Sequence, residues 1–153
     1  MEYGSILAWL HRANASLSAD EASAATGKAK DLQSKANPVE RALLSIRTAR
    51  QDGDLDRALK AAKNLVGLAP GSLEAHLVLS RIYTLRGEDE PARVAALEAA
   101  KIDPGSLPAH ALLGESYTFR EPRDLEKAAH HFKKTVELRP RIAATYVSGC
   151  SSA

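Results

Sequence analysis

His76 and His110 stand 34 residues apart in this chain of 153, and a pair of imidazoles is the first candidate for chemistry. Brought together, two neutral imidazoles would suit a transition metal. His130 and His131 are adjacent, so on a helix their side chains diverge by about 100°, a poor geometry for sharing one ion. The run Asp52-Gly53-Asp54-Leu55-Asp56 has the flavour of a calcium loop. Its glycine comes second where such a loop needs it sixth, and no glutamate stands at the twelfth place. It reads instead as a helix break followed by an N-cap. No Ser/His/Asp order, phosphate-cradling glycine loop or H-E-x-x-H run occurs, and the glycines stand singly in turns. Lys60, Lys63, Lys127, Lys133 and Lys134 have no aromatics interleaved for base stacking. The expectation is a non-enzymatic chain with no catalytic residue, no metal and no cofactor.

The elements that would position any site are helices. Alanine is the commonest residue, aromatics are only 5%, and hydrophobic residues make 44%. That mixture favours close-packed helices over a β-sandwich, which wants β-branched and aromatic side chains. With 21 Lys+Arg against 19 Asp+Glu, the charge is too balanced for a nucleic-acid or membrane-surface binder. The single cysteine, Cys150, excludes an internal disulfide and a thiolate cage. No apolar run approaches the roughly 18 residues needed to span a bilayer. Ser5-Ile6-Leu7-Ala8-Trp9-Leu10 is cut short by His11-Arg12 and lacks a basic start, so a signal peptide is not expected. Val147-Ser148-Gly149-Cys150 spells a lipid-attachment box but lies at the wrong end and reads as chance. A cytoplasmic location without membrane insertion follows as the expectation.

An internal repeat organises the chain. Pro70-Gly71-Ser72-Leu73-Glu74-Ala75-His76-Leu77-Val78-Leu79 returns as Pro104-Gly105-Ser106-Leu107-Pro108-Ala109-His110-Ala111-Leu112-Leu113, an offset of 34 residues. Gly53 and Gly87, and Ala58 and Ala92, keep the same offset. Each unit reads as two helices. Ser72 caps the first, Gly87 ends it where positive φ is needed, and Asp89-Glu90-Pro91 opens the second. Ala92, Ala95, Ala96, Ala99 and Ile102 continue its buried face until Pro104.

These residues resemble the tetratricopeptide repeat, whose signature is W-x2-L-G-x2-Y, then A-x3-F, then P. The third unit supplies His110, Leu113, Gly114, Tyr117, Ala128, Phe132 and Pro140, with histidine replacing tryptophan. The second supplies His76, Leu79, Ser80, Tyr83, Ala92, Ala96 and Pro104; the first is weaker, with Ala42, Ile46, Ala49, Ala58, Ala62 and Pro70. The resemblance implies an all-α, right-handed α-solenoid of antiparallel helix pairs. Three repeats would occupy 38–71, 72–105 and 106–140, and His76 and His110 would be packing residues rather than ligands. Residues 1–37 fit as a degenerate first repeat or a capping hairpin, with Ser18-x-x-Glu21 capping a helix near 19–35 and Asn37-Pro38 closing the segment. Arg120-Glu121-Pro122-Arg123-Asp124 lengthens the third repeat, so its loop should bulge. Arg141–Ser148 would form a short separate cap, with Gly149–Ala153 frayed.

The same resemblance implies a concave groove lined by the first helix of each pair. Glu40, Leu43, Arg47, Arg50 and Gln51 would come from the first repeat; Glu74, Leu77, Arg81, Thr84 and Leu85 from the second; Ala111, Glu115, Thr118 and Phe119 from the third. Leu43 with Leu77, and Arg47 with Arg81, would form parallel apolar and cationic stripes. Such stripes suit a peptide or helix carrying acids beside apolar anchors. The partner-binding set is therefore Leu43, Arg47, Arg50, Leu77, Arg81, Leu85, Glu115 and Phe119. The lysine and asparagine set with which some members grip chaperone C-termini is replaced here by Leu43, Leu44, Arg47, Leu77, Val78 and Arg81. The leading reading is a protein-interaction module or scaffold. The alternative is a structural subunit or assembly factor docked through Trp9, Leu7 and Leu10 and through its C-terminal end. Oligomeric state is left open.

Overall fold

The computed structural model describes residues 6–15 and 18–149, and every regular element among them is helical. The chain divides into two compact units, Met1–Pro70 and Gly71–Ala153. The first contains α1 (Ile6–Ala15), α2 (Ala19–Asp31), a 3-10 turn at Gln33–Lys35, α3 (Pro38–Gln51) and α4 (Leu55–Leu68). The second contains α5 (Leu73–Arg86), α6 (Asp89–Ile102), α7 (Leu107–Phe119) and α8 (Leu125–Gly149).

Short polar residues start most of these helices by satisfying free N–H groups of the first turn. Ser18 accepts from the Glu21 N–H at 3.2 Å, Asp54 from Arg57 at 2.9 Å, Ser72 from Ala75 at 3.3 Å and Ser106 from Ala109 at 3.4 Å. Asp124 does the same for α8, accepting from the Lys127 N–H at 3.0 Å. Asn37 and Glu40 build a full capping box on α3, each side chain accepting from the other residue's backbone N–H. Asn37-Pro38 thus opens α3 as well as closing what precedes it. Gly53 and Gly87 sit at φ of 74° and 75°, the left-handed geometry that ends α3 and α5.

Within each unit, helices pack against their neighbours in the chain: α1 on α2, both on α3, and α3 on α4; then α5 on α6, α6 on α7, and α7 on α8. This is the packing order of a helix-pair repeat. Alanine makes it possible, because Ala29, Ala49, Ala58, Ala62, Ala99 and Ala109 are fully buried at the contacts. Ile82 and Leu113 are the largest fully buried apolar side chains among the described residues.

Two expectations need correction. Helix α2 ends at Asp31 and hands over to the 3-10 turn, so it is shorter than the 19–35 reading. At the other end, Arg141–Ser148 is no separate cap: α8 runs unbroken from Leu125 to Gly149 with Pro140 inside it. The helix keeps its course there although an interior proline removes one backbone donor and crowds the carbonyl four residues earlier. Residues 150–153, with Cys150 and nearly all of the expected frayed tail, lie outside the described residues. No helix among those described is long and apolar enough to cross a membrane.

Candidate functional site

In the second unit, α5 and α7 present equivalent faces, set in register by the Ser72 and Ser106 caps. Leu77, Arg81 and Leu85 follow one another at helical spacing on α5, as do Ala111, Glu115 and Phe119 on α7. Arg81, Leu85, Glu115 and Phe119 are all exposed, Leu85 at 55% and Phe119 at 72%. Leu77 is not. It is only 7% exposed and seated in a core cluster with Ala99 of α6 and Ala109 of α7. An alanine-rich interior has few large side chains with which to fill itself, so it draws Leu77 inward. The repeating apolar pair is Leu85 and Phe119, and the expected Leu43–Leu77 stripe gives way to it.

Phe119 is the last residue of α7, and its position depends on a buried cation that sequence reasoning missed. Arg93 of α6 is 5% exposed. Its Nε donates to Ser116 Oγ at 3.0 Å, and its Nη2 donates to the carbonyls of Ser116 and Arg120, each at 3.2 Å. Those carbonyls flank Phe119 at the end of the helix, where the last acceptors run short of intrahelical donors and the helix dipole is negative. The guanidinium lies 4.5 Å from the Tyr117 ring centroid, and Nη1 is 3.7 Å from Glu90. Arg120 is itself ion-paired with Asp89. The last turn of α7 is thereby pinned to α6 from both sides of Phe119. The only sequence signal was an arginine inside an otherwise alanine-rich helical stripe.

In the first unit, Arg47 performs a similar task. Its Nη2 donates to the Ala13 carbonyl at 3.0 Å, capping the last turn of α1 from α3. Burial first, then the charge of Arg50, lowers its pKa from the usual arginine range. The expected groove cation is therefore a packing residue. Leu43 is half-buried against a cluster of Leu10, Ala29, Ala36 and Leu44. Of the expected residues here, Arg50 and Gln51 are exposed, while Glu40, Leu43 and Arg47 are half-buried. Trp9 and Leu10, proposed as outward docking residues, pack into this same cluster instead. The side chain of Leu7 lies outside the described residues.

The histidines form a pair different from the one their spacing suggested. His110 Nε2 donates to the Pro104 carbonyl at 2.9 Å, which leaves its Nδ1 to accept from His131 Nδ1 at 3.0 Å. His131 also stacks on Tyr117 with ring centroids 5.8 Å apart. Facing nitrogens at that distance hold one proton between them, not two. Burial, followed by the proximity of His110 and His130, lowers the His131 pKa to about 4. Among the described residues, no three His, Cys, Asp or Glu side chains gather as a metal site would require.

Residues 49–116 match the family model described as tetratricopeptide repeat. No curated protein matches the chain.

Proposed function

The chain is a tetratricopeptide-repeat protein over residues 49–116, and on that premise we propose that it is a non-enzymatic module that holds a segment of another protein. Such repeats generally mediate protein–protein interaction, using the extended surfaces that stacked helix pairs create. One observation carries the reading: Leu85 and Phe119, exposed at equivalent positions one repeat apart. Large apolar side chains repeated on neighbouring helices offer successive anchor points, and anchors of this kind dominate binding energy. Arg81 and Glu115 stand one turn before them on the same faces. The partner is a peptide or helix with apolar anchors and an acid placed for Arg81.

Affinity capture from the source cell's lysate tests the reading, with the wild-type chain compared against a Leu85→Asp/Phe119→Asp variant of unchanged helicity. A partner retained by the wild type and lost by the variant supports it; equal retention rejects it. A second reading rests on α8, where Leu125 and Val136 are exposed and Phe132 partly so, on one side of the helix. Docking there would make the chain a structural subunit or assembly factor. Leu125→Asp/Val136→Asp would then release the partner while the Leu85/Phe119 variant kept it.

A further inference from the structure

The three repeats differ where the two helices of a pair face each other. The second and third repeats have His76 with Leu79 and His110 with Leu113; the first has Ala42 and Ser45 at the same offsets. Replacing an imidazole and an isobutyl group by a methyl and a hydroxymethyl leaves space between α3 and α4. The structure has that space, as an open trough of about 630 Å³ floored by the buried Ala42 and Ala61. Through Gln33, Ser45 and Arg57 it continues into a second hollow of about 390 Å³ that reaches Lys30 and Thr48. All of these residues belong to the first unit.

The trough is cationic. Arg41 of α3 and Arg57 and Lys60 of α4 line it, and no carboxylate does. Arg57 is paired with Asp52, which borders the second hollow. Arg41 and Lys60 are exposed and make no ion pair among the described residues. Gln33, Ser45 and Asn64 add amide and hydroxyl groups along the walls. The volume lies within the roughly 300–1,000 Å³ of sites that enclose whole ligands. Two joined hollows flanked by cations on both helices suit an extended chain better than a lone ion. Arg41, Ser45 and Thr48 lie about half a helix turn away from Leu43, Arg47 and Arg50 on α3, so this is a different face.

We propose that the trough between α3 and α4 binds an acidic peptide segment, its carboxylates on Arg41 and Lys60 and its backbone over Ala42 and Ala61. Arginine's planar fork matches a carboxylate, and the absence of acids in the main hollow leaves nothing to repel one. Fluorescence anisotropy with the full chain at low salt tests this, using a labelled octapeptide of alternating Glu and Ser and its Gln-for-Glu counterpart. The Glu peptide should bind at least about tenfold more tightly than the Gln peptide. Ser45→Leu, which installs the residue of the other two repeats without changing charge, should weaken binding by about tenfold or more. Arg41→Gln/Lys60→Gln should do the same, and these exposed positions keep the test decisive if Ser45→Leu loses helicity. Leu85→Asp/Phe119→Asp should leave this binding unchanged, so the failure of either proposal is visible separately. Unchanged binding by the Arg41/Lys60 variant, or by a folded Ser45→Leu chain, overturns the assignment. Displacement of the peptide by an equal concentration of inorganic phosphate also overturns it, because the site would then be one for small anions.

Discussion

Arg93→Met tests the claim that a buried cation fixes the end of α7. Methionine keeps most of the aliphatic stem but removes three charge-assisted donors and the contact with Tyr117. Hydrogen bonds from charged groups contribute about 1.5–3 kcal/mol each, and a buried cation–π contact up to about 2 kcal/mol. The full sum is not lost, because removing the cation also removes the cost of burying it. The Ser116 carbonyl in addition keeps its bond from the Arg120 N–H at 3.1 Å. A net loss of about 2–3 kcal/mol follows, or roughly 5–10 °C in the melting of the second unit for a chain of this size. Arg93→Lys should fall only slightly short of that loss, since one ammonium cannot span three acceptors set for a fork. Urea unfolding gives the magnitude, and hydrogen exchange at residues 116–120 gives the location. A methionine variant within about 0.5 kcal/mol of wild type, with unchanged exchange at the end of α7, would refute the reasoning.

Arg47→Gln should cost about 1–2 kcal/mol by uncapping α1, seen as faster exchange in residues 8–15 with α5–α8 unaffected; uniform exchange would argue against it. His131 makes stability pH-dependent in a definite direction. Its folded pKa of about 4 lies below the ordinary 6.5, so the unfolded chain binds the proton first. Stability should be full above pH 6.5 and fall as pH drops toward 4, by about 1–2 kcal/mol once screening at a partly exposed ring is discounted. His131→Phe should flatten that slope in pH-dependent urea melts, and a slope that survives would assign it elsewhere. Gly114→Ala would ordinarily stabilise a helix by about 1 kcal/mol. Here the added Cβ would lie 2.7 Å from Phe132 Cε1, so a net loss of about 1 kcal/mol is expected as the ring is displaced; a raised melting temperature would contradict the close packing.

Local chemistry was legible in the sequence, and contacts between helices were not. Ser18, Ser72, Asp54, Gly53 and Gly87 act within three or four residues of themselves, so their types and positions alone announced the helix ends. Asn37 was read only as a stop, although Glu40 three residues later marked it as a start. The offset of 34 also relates Arg81 to Glu115 and Leu85 to Phe119, a pairing the sequence reading did not draw. It could not say which members of a helical face are pulled inward. Leu43 and Leu77 occupy the boundary between buried and exposed rows, and a core built from alanine takes them in. Arg47 was read as a groove cation and Arg93 was passed over, because their acceptors are backbone carbonyls of other helices, which no side-chain pattern displays. The His110–His131 contact was hidden for a related reason. A spacing of 34 identifies equivalent positions in successive repeats, whereas contact within a pair joins α7 to α8.

The central claim is that the chain grips a partner through the exposed face of α5 and α7. Site-specific photocrosslinking tests it most directly, with a benzophenone side chain placed in turn at Leu85, Phe119 and Val136 of the full chain in its source cells. Covalent capture of one and the same protein from Leu85 and Phe119, with none from Val136, is the predicted result. Capture from Val136 alone would contradict the account and place the interaction on α8.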